Sequence, residues 1–150
     1  FNYRISDFQC SLGMSQLKKL PFRLKRRRDI ANKYSRAFKK VDSISTPISI
    51  NDRASAWHIY VIKLNLDLLN VDRKRIFEAL RAENIGVNVH YIPIPMHPYY
   101  QNLGYNMDHL NHAKETYERI LTLPIWAGMN DQDVKDTIDA VTKVVNFYRK

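Results

Sequence analysis

The sequence predicts an α+β fold, a small sheet covered by helices and entered through long N-terminal helices. Three observations lead there. Apolar residues recur at helical spacing through residues 8–41. Two short stretches, 57–64 and 87–92, are dense in β-branched and aromatic residues, as strands are. Further helical stripes lie between and after them. With 45% hydrophobic and 11% aromatic residues, the 150-residue chain can build one packed core, which excludes a disordered or collagen-like chain.

Residues 1–5 read as an extended lead-in. Ser6-Asp7-Phe8-Gln9 is a capping-box pattern, in which the Ser6 hydroxyl accepts from the Gln9 amide and the Gln9 side chain reaches back. Behind it Phe8, Leu12, Met14, Leu17 and Leu20 recur at helical spacing around the small Gly13. Pro21 is expected to end or kink this helix, or to open a second one. Ile30, Tyr34, Phe38 and Val41 then mark one stripe of a helix running to about residue 40.

From Val41 to Ala56 the chain reads as loop, with room for a short strand. Trp57 to Leu64 is the clearest strand, and its two largely apolar faces place it centrally in a sheet. Asp72 caps a helix whose inner face is Ile76, Phe77 and Leu80 and which ends near Asn84-Ile85-Gly86. Val87 to Ile92 is expected to be a second strand, with Val87, Val89 and Tyr91 on one face and Asn88 and His90 on the other. Pro93, Pro95 and Pro98 then make a stiff loop carrying Tyr99 and Tyr100. Leu110, Ala113, Tyr117 and Ile120 define another helix, and Leu123-Pro124-Ile125 a short extended piece. Asn130, with Asp131 and Asp133 in the first turn, starts a final helix that buries Val134, Ile138, Val141 and Val145.

Net charge is +9, and it is unevenly placed. Residues 1–50 hold twelve Lys and Arg against three Asp, whereas residues 51–150 are balanced at twelve against twelve. An acidic or phosphate-bearing partner is therefore in view. The single cysteine, Cys10, excludes an intramolecular disulfide and fits a reducing, cytoplasmic compartment. Its place in an apolar-periodic stretch makes it a buried, inert thiol. No run of 18 apolar residues spans a membrane, and no signal-peptide pattern is visible at the N-terminus. The chain starts at Phe1, inside what reads as a working motif, so it is expected to be a piece of a longer protein.

The basic run Arg23-Leu24-Lys25-Arg26-Arg27-Arg28 wraps too far round a helix to form one groove-reading face, and no stacking aromatics accompany it. A solvated or partner-facing surface, contact with an anionic ligand or another subunit, and nucleic-acid or membrane-surface binding are all open from the residues alone, with the first favoured. His109 and His112 stand three apart, as a metal pair would on a helix, but no third ligand is fixed by spacing, so no metal is expected. His90-Tyr91 differs: the pair closes a strand and opens the Pro-stiffened, Tyr-rich loop, a common place for a small-molecule site. Packing of a corner is the equal alternative. The four glycines do not cluster into a phosphate loop, and there is neither a Gly-x-Ser-x-Gly elbow nor a Cys-x-x-Cys pair. Unaided, the residues reach a soluble α+β domain with a polar pocket near His90.

Several collinear motifs carry a resemblance. Asn2-Tyr3-Arg4 leads into a helix with Ser11-Leu12-Gly13 and Gln16-Leu17; Arg28-Asp29-Ile30-Ala31 and Tyr34 follow, then Trp57-His58-Ile59-Tyr60-Val61. Gly86-Val87-Asn88-Val89-His90-Tyr91-Ile92-Pro93 and Leu121-Thr122-Leu123-Pro124-Ile125 with Asp133-Val134 complete the series. In this order, over nearly the whole chain, the sequence resembles the DegT/DnrJ/EryC1/StrS family of nucleotide-sugar aminotransferases. Its flavour is nearest the PseC type, which acts on UDP-linked 4-keto-6-deoxy amino sugars in the making of surface polysaccharides. Cys10-Ser11 departs from the usual Ala-Ala, but both residues are small.

The resemblance implies the C-terminal small domain of a fold-type I, pyridoxal 5'-phosphate-dependent transaminase, an α/β parent fold that is normally a homodimer of chains well above one-domain size. Residues 1–41 would be helices linking from the large domain and 42–150 the small α/β domain. The Schiff-base lysine would lie upstream of Asn2, so no catalytic residue is assigned here and the isolated chain is expected to be inactive. Asn2 would reach the cofactor phosphate across the dimer, and Arg4 would lie in the same crossing segment near phosphate or sugar. His90 and Tyr91 would line the sugar-nucleotide pocket. The implied partners are a nucleotide sugar and an amino donor, glutamate by family expectation, with no nucleic acid and no membrane. The other readings are a stand-alone, non-catalytic module for an acidic partner or nucleotide sugar, and a basic nucleic-acid-binding module.

Overall fold

A computed structural model describes residues 3–50 and 52–150. Helix α1, Asp7–Phe38, is one continuous helix of 32 residues. Ser6 opens it with the expected capping box: its hydroxyl accepts from the Gln9 amide at 3.4 Å, and its own amide donates to Gln9 Oε1 at 2.9 Å. The helix runs through Pro21, so the expected break is absent and two helices are one. A proline forfeits a single bond to the carbonyl four residues back, here that of Leu17, and the Leu, Lys and Arg around it are strong helix formers.

The stripe at the C-terminal end of α1 is the core stripe: Ile30, Ala31, Tyr34 and Phe38 are fully buried. The apolar residues upstream are not. Phe8, Leu12, Met14, Leu17 and Leu20 are exposed, and so is Cys10, which corrects the expectation of a buried thiol. The helical period there is real, but no described element lies over that half of α1.

Three antiparallel strands follow: β1 (Ile44–Ser45), β2 (Tyr60–Leu64) and β3 (Ile120–Leu123), with β2 in the middle as its two apolar faces predict. Tyr60 pairs with Leu123 and Ile62 with Leu121, while Ile44 pairs with Leu64. The strand begins at Tyr60 rather than Trp57, because Trp57 has φ +49°, a left-handed conformation that interrupts an extended run. Tyr60, Ile62 and Leu64 are buried against the helices, and Tyr60 meets Tyr34 edge-on at 5.2 Å between ring centres.

Helix α2, Arg73–Ala82, is capped by Asp72, whose carboxylate accepts from the Arg75 amide at 2.9 Å. It buries Ile76 and Leu80 and stops before Asn84, where φ is +63°. The 93–98 segment contains a 3-10 turn, Ile94–Met96, and then the short helix α3, Pro98–Asn102, so Tyr99 and Tyr100 stand on a helix rather than a loop. Helix α4 is Asn111–Arg119. The last helix, α5 (Asp131–Phe147), has the reciprocal Asn130–Asp133 cap, buries Val134, Val141 and Val145, and packs against both α1 and α2.

Residues 87–92 correct the reading of a second strand. One bridge forms, Asn88 with Thr122: Asn88 N donates to Thr122 O at 3.1 Å, and Thr122 N to Asn88 O at 2.8 Å. The Val89 amide then turns to the Asn88 side chain at 2.8 Å, and Pro93 and Pro95 offer no donor to extend a ladder. The His90–Tyr91 peptide bond is cis. Among the described residues no helix is long and apolar enough to cross a membrane.

Candidate functional site

The basic run of α1 is committed largely within the chain. The Arg27 Nη1 lies within 3.0 Å of three carbonyl oxygens, those of Trp57, His58 and Ile125. It thereby ties the segment entering β2 to the segment leaving β3. Arg26 donates from Nε and Nη2 to the Met129 carbonyl, at 3.0 and 2.7 Å, and pairs with Asp29 and Asp131. Arg28 donates to the Ser55 carbonyl at 3.2 Å, and Arg23 to Gln16. Three consecutive arginines of α1 thus satisfy carbonyls in the segments flanking β2 and β3, a use that charge counting does not reveal. Lys33 sits between Asp131 and Asp29, at 2.8 and 3.1 Å. Their hydrogen bonds, Asp131 first, push the Lys33 ammonium up, and Lys33 and Arg26 hold the Asp131 carboxyl below its ordinary range.

His90 is placed by the Asn88–Thr122 bridge. Its Nδ1 lies 2.9 Å from the Thr122 hydroxyl, and Thr122 is 5% exposed. The Tyr91 ring meets the imidazole edge-on at 4.5 Å, and Tyr91 itself is 73% exposed. The pair therefore presents a half-buried imidazole, fixed at one nitrogen, beside an open phenol. Such a pair can hydrogen-bond hydroxyl or phosphate oxygens. Thr122 was visible in the sequence only as part of the Leu121–Ile125 motif; nothing in its spacing to His90 pointed to the contact, which arises from the bridge.

Arg4 is exposed ahead of α1, and about 35 Å of helix at 1.5 Å per residue separates the start of α1 from the core stripe at Ile30. The structure brings together His90, Tyr91 and Thr122. It does not bring Arg4 into the core of the same chain, and Asn2 lies outside the described residues. A groove of about 460 Å³ opens elsewhere, lined by Glu83, Asn84, Pro124, Trp126, Asp133 and Asp136 among others. Its carboxylates suit a cation rather than a diphosphate, and neither His90 nor Tyr91 lines it.

Among the described residues no group of three or more His, Cys, Asp and Glu is arranged to hold a metal ion. Nor do the lysines fit a Schiff-base role, which calls for a desolvated amine whose charged form is disfavoured. None is buried. Lys33 and Lys135 are pushed the opposite way by carboxylates, and Lys63 and Lys143 pair with Glu115 and Glu83.

Comparison with known proteins supplies the frame. SpsC of Bacillus subtilis, a spore coat polysaccharide biosynthesis protein, is 40% identical over 147 residues, 97% of this chain and 38% of that protein. The UDP-4-amino-4,6-dideoxy-N-acetyl-β-L-altrosamine transaminase of Campylobacter jejuni is 38% identical over 151 residues, covering 39% of its length. Among solved structures, Helicobacter pylori PseC, an aminotransferase involved in the biosynthesis of pseudoaminic acid, superposes with a TM-score of 0.88. Its identity is 31%, over 99% of this chain and 39% of that one. Spr1654 of Streptococcus pneumoniae, solved in its PLP-form, gives 0.87 and 28% identity over 98% of this chain and 37% of that one. The chain spans about two fifths of the relatives it matches. The family profile matches residues 1–142, all but the last turns of α5, and the chain belongs to the DegT/DnrJ/EryC1/StrS aminotransferase family.

Proposed function

We propose that this chain is the C-terminal portion of a pyridoxal phosphate-dependent aminotransferase that moves an amino group to a 4-keto, nucleotide-linked sugar for surface polysaccharide biosynthesis. The observation that carries the reading is the end-to-end match with transaminases of UDP-linked amino sugars, over only two fifths of their length. On this reading residues 1–41 link from a larger domain and 42–150 form the small domain. The enzyme works as a cytoplasmic homodimer, with glutamate as amino donor.

The chain's part is to bind, not to anchor the cofactor. Bound pyridoxal phosphate supplies the electron sink for amino transfer, and its lysine comes from outside this chain. His90 and Tyr91 line the sugar-nucleotide pocket, where the imidazole and phenol hydrogen-bond hydroxyl or diphosphate oxygens. Asn2 meets the cofactor phosphate and Arg4 the phosphate or sugar, both in the partner subunit's site. The length of helix between Arg4 and the core of its own chain supports that crossing.

The test compares two polypeptides, given glutamate and a UDP-linked 4-keto-6-deoxy amino sugar. The natural polypeptide that carries this chain forms the amino sugar, and the isolated 150 residues do not. Product from the isolated chain, or none from the full polypeptide, overturns the reading.

A further inference from the structure

Among the described residues the His90 side chain makes one hydrogen bond, to Thr122, and the direction of that bond is tied to which of its nitrogens carries the proton. A neutral imidazole has one N–H and one acceptor nitrogen, and the partner of one nitrogen sets the other. Here the partner is a hydroxyl, which can either donate to Nδ1 or accept from it. Thr122 is 5% exposed, and among the described residues its Oγ has no hydrogen bond besides that to His90 at 2.9 Å. If Nδ1 carried the proton and donated, the Thr122 hydroxyl hydrogen would be left buried with no acceptor. An unmet buried donor is expensive relative to a bond made. If the hydroxyl donates to Nδ1, both atoms of that contact are satisfied. The backbone holds the geometry independently, because Thr122 N and O are both bonded to Asn88, two residues before the imidazole.

We infer that Thr122 is a positioning residue: its hydroxyl donates to His90 Nδ1, locks the ring in the Nε2–H tautomer and makes His90 a neutral N–H donor toward an oxygen of the ligand. This rests on the reading of His90 as a substrate-binding residue only for the identity of the ligand. The tautomer rests on the contact and on the burial of Thr122. An N–H donor selects acceptor oxygens, such as a sugar carbonyl or a phosphate oxygen, and offers nothing to a ligand group that must itself donate. Specificity at this point of the pocket is then set from β3, by a residue that never touches the ligand.

The experiment labels the histidines of the full polypeptide with 15N, assigns the His90 signals with His90→Gln, and records long-range 1H–15N correlations at alkaline pH. Uridine diphosphate is titrated into the same samples. Wild type is expected to show Nδ1 as an unprotonated acceptor and Nε2 protonated. Thr122→Val, which keeps the β-branched shape and the backbone bridge, is expected to mix the tautomers and to weaken uridine diphosphate binding about fivefold, the worth of one hydrogen bond. Thr122→Ser is expected to restore both. A protonated Nδ1 in wild type, or an unchanged tautomer in Thr122→Val, overturns the inference whatever His90 binds. A tautomer that responds while neither Thr122→Val nor His90→Gln alters binding supports the role of Thr122 on the ring and overturns the reading of His90 as a nucleotide-sugar ligand.

Discussion

The two halves of α1 have similar apolar spacing and opposite fates. Between Ile30 and Phe38 the stripe is fully buried against β2 and α5, with Tyr34 donating to the Pro124 carbonyl at 2.8 Å. Between Phe8 and Phe22 large apolar residues stand open, Phe8 at 82% exposure and Leu17 at 63%. A periodic stripe states that a helix has a face to cover; it does not state what covers it. In relatives more than twice as long as this chain, 99% of it superposes on PseC with the same helix included. The chain spans 39% of that protein's length, and among the described residues no element covers the open half of α1.

Substitutions sharpen the contrast. In urea unfolding, Phe38→Ala should cost about 3–5 kcal/mol, the usual range for a fully buried aromatic. Phe8→Ala in the same chain should stay within about 0.5 kcal/mol, as exposed sites do. Equal costs would break the comparison. Arg27 marks the boundary between the halves. Arg27→Met, which keeps the length of the side chain but removes the donor to three carbonyls, should destabilise by roughly 2–3 kcal/mol, and it should loosen the approach to Trp57 more than the open half of α1. Hydrogen exchange reads both.

Titration probes the core half directly. Burial pushes the Tyr34 hydroxyl up to about 12 from 10.0. Because the folded value lies above the unfolded one, the stability tied to a protonated Tyr34 is whole below about pH 10 and lost as pH climbs through about 12. Tyr34→Phe should flatten that alkaline decline, at the expense of the Pro124 hydrogen bond, about 1 kcal/mol at neutral pH. Across the interface, Asn130→Ala should cost about 1 kcal/mol through loss of the α5 cap. The smallest effect belongs to Asp131. Its depressed carboxyl lends stability above the ordinary carboxylate range and loses it as pH falls through the lower folded value. Asp131→Asn should trim that acid dependence slightly and salt-sensitively, since both Asp131 and Lys33 face solvent.

Much of the fold was legible because local chemistry specifies it. Ser6, Asp72 and Asn130 cap where their side chains predict, and β2 is central as its two largely apolar faces predict. The misreadings arose where a distant segment decides. Val87–Ile92 has strand composition, but its ladder stops after Asn88 as the prolines approach. Pro21 has breaker chemistry, yet the strong helix formers around it carry α1 through. Cys10 follows the helical period onto a face that this chain leaves open. At the candidate site the His90-Tyr91 pair was legible from motif and loop chemistry, whereas Thr122 and the carbonyl clamp of Arg27 were not. Both contacts join residues far apart in sequence, which no local spacing encodes.

The central claim is that this chain supplies the nucleotide-sugar side of an aminotransferase and not its cofactor anchor. The most direct measurement is steady-state amino transfer by the full polypeptide carrying His90→Gln and Tyr91→Phe together, with bound pyridoxal phosphate per subunit measured alongside. The account predicts a KM for the UDP-linked keto sugar raised about tenfold or more, as two lost hydrogen bonds imply, with cofactor content unchanged. An unchanged KM accompanied by loss of cofactor would contradict it.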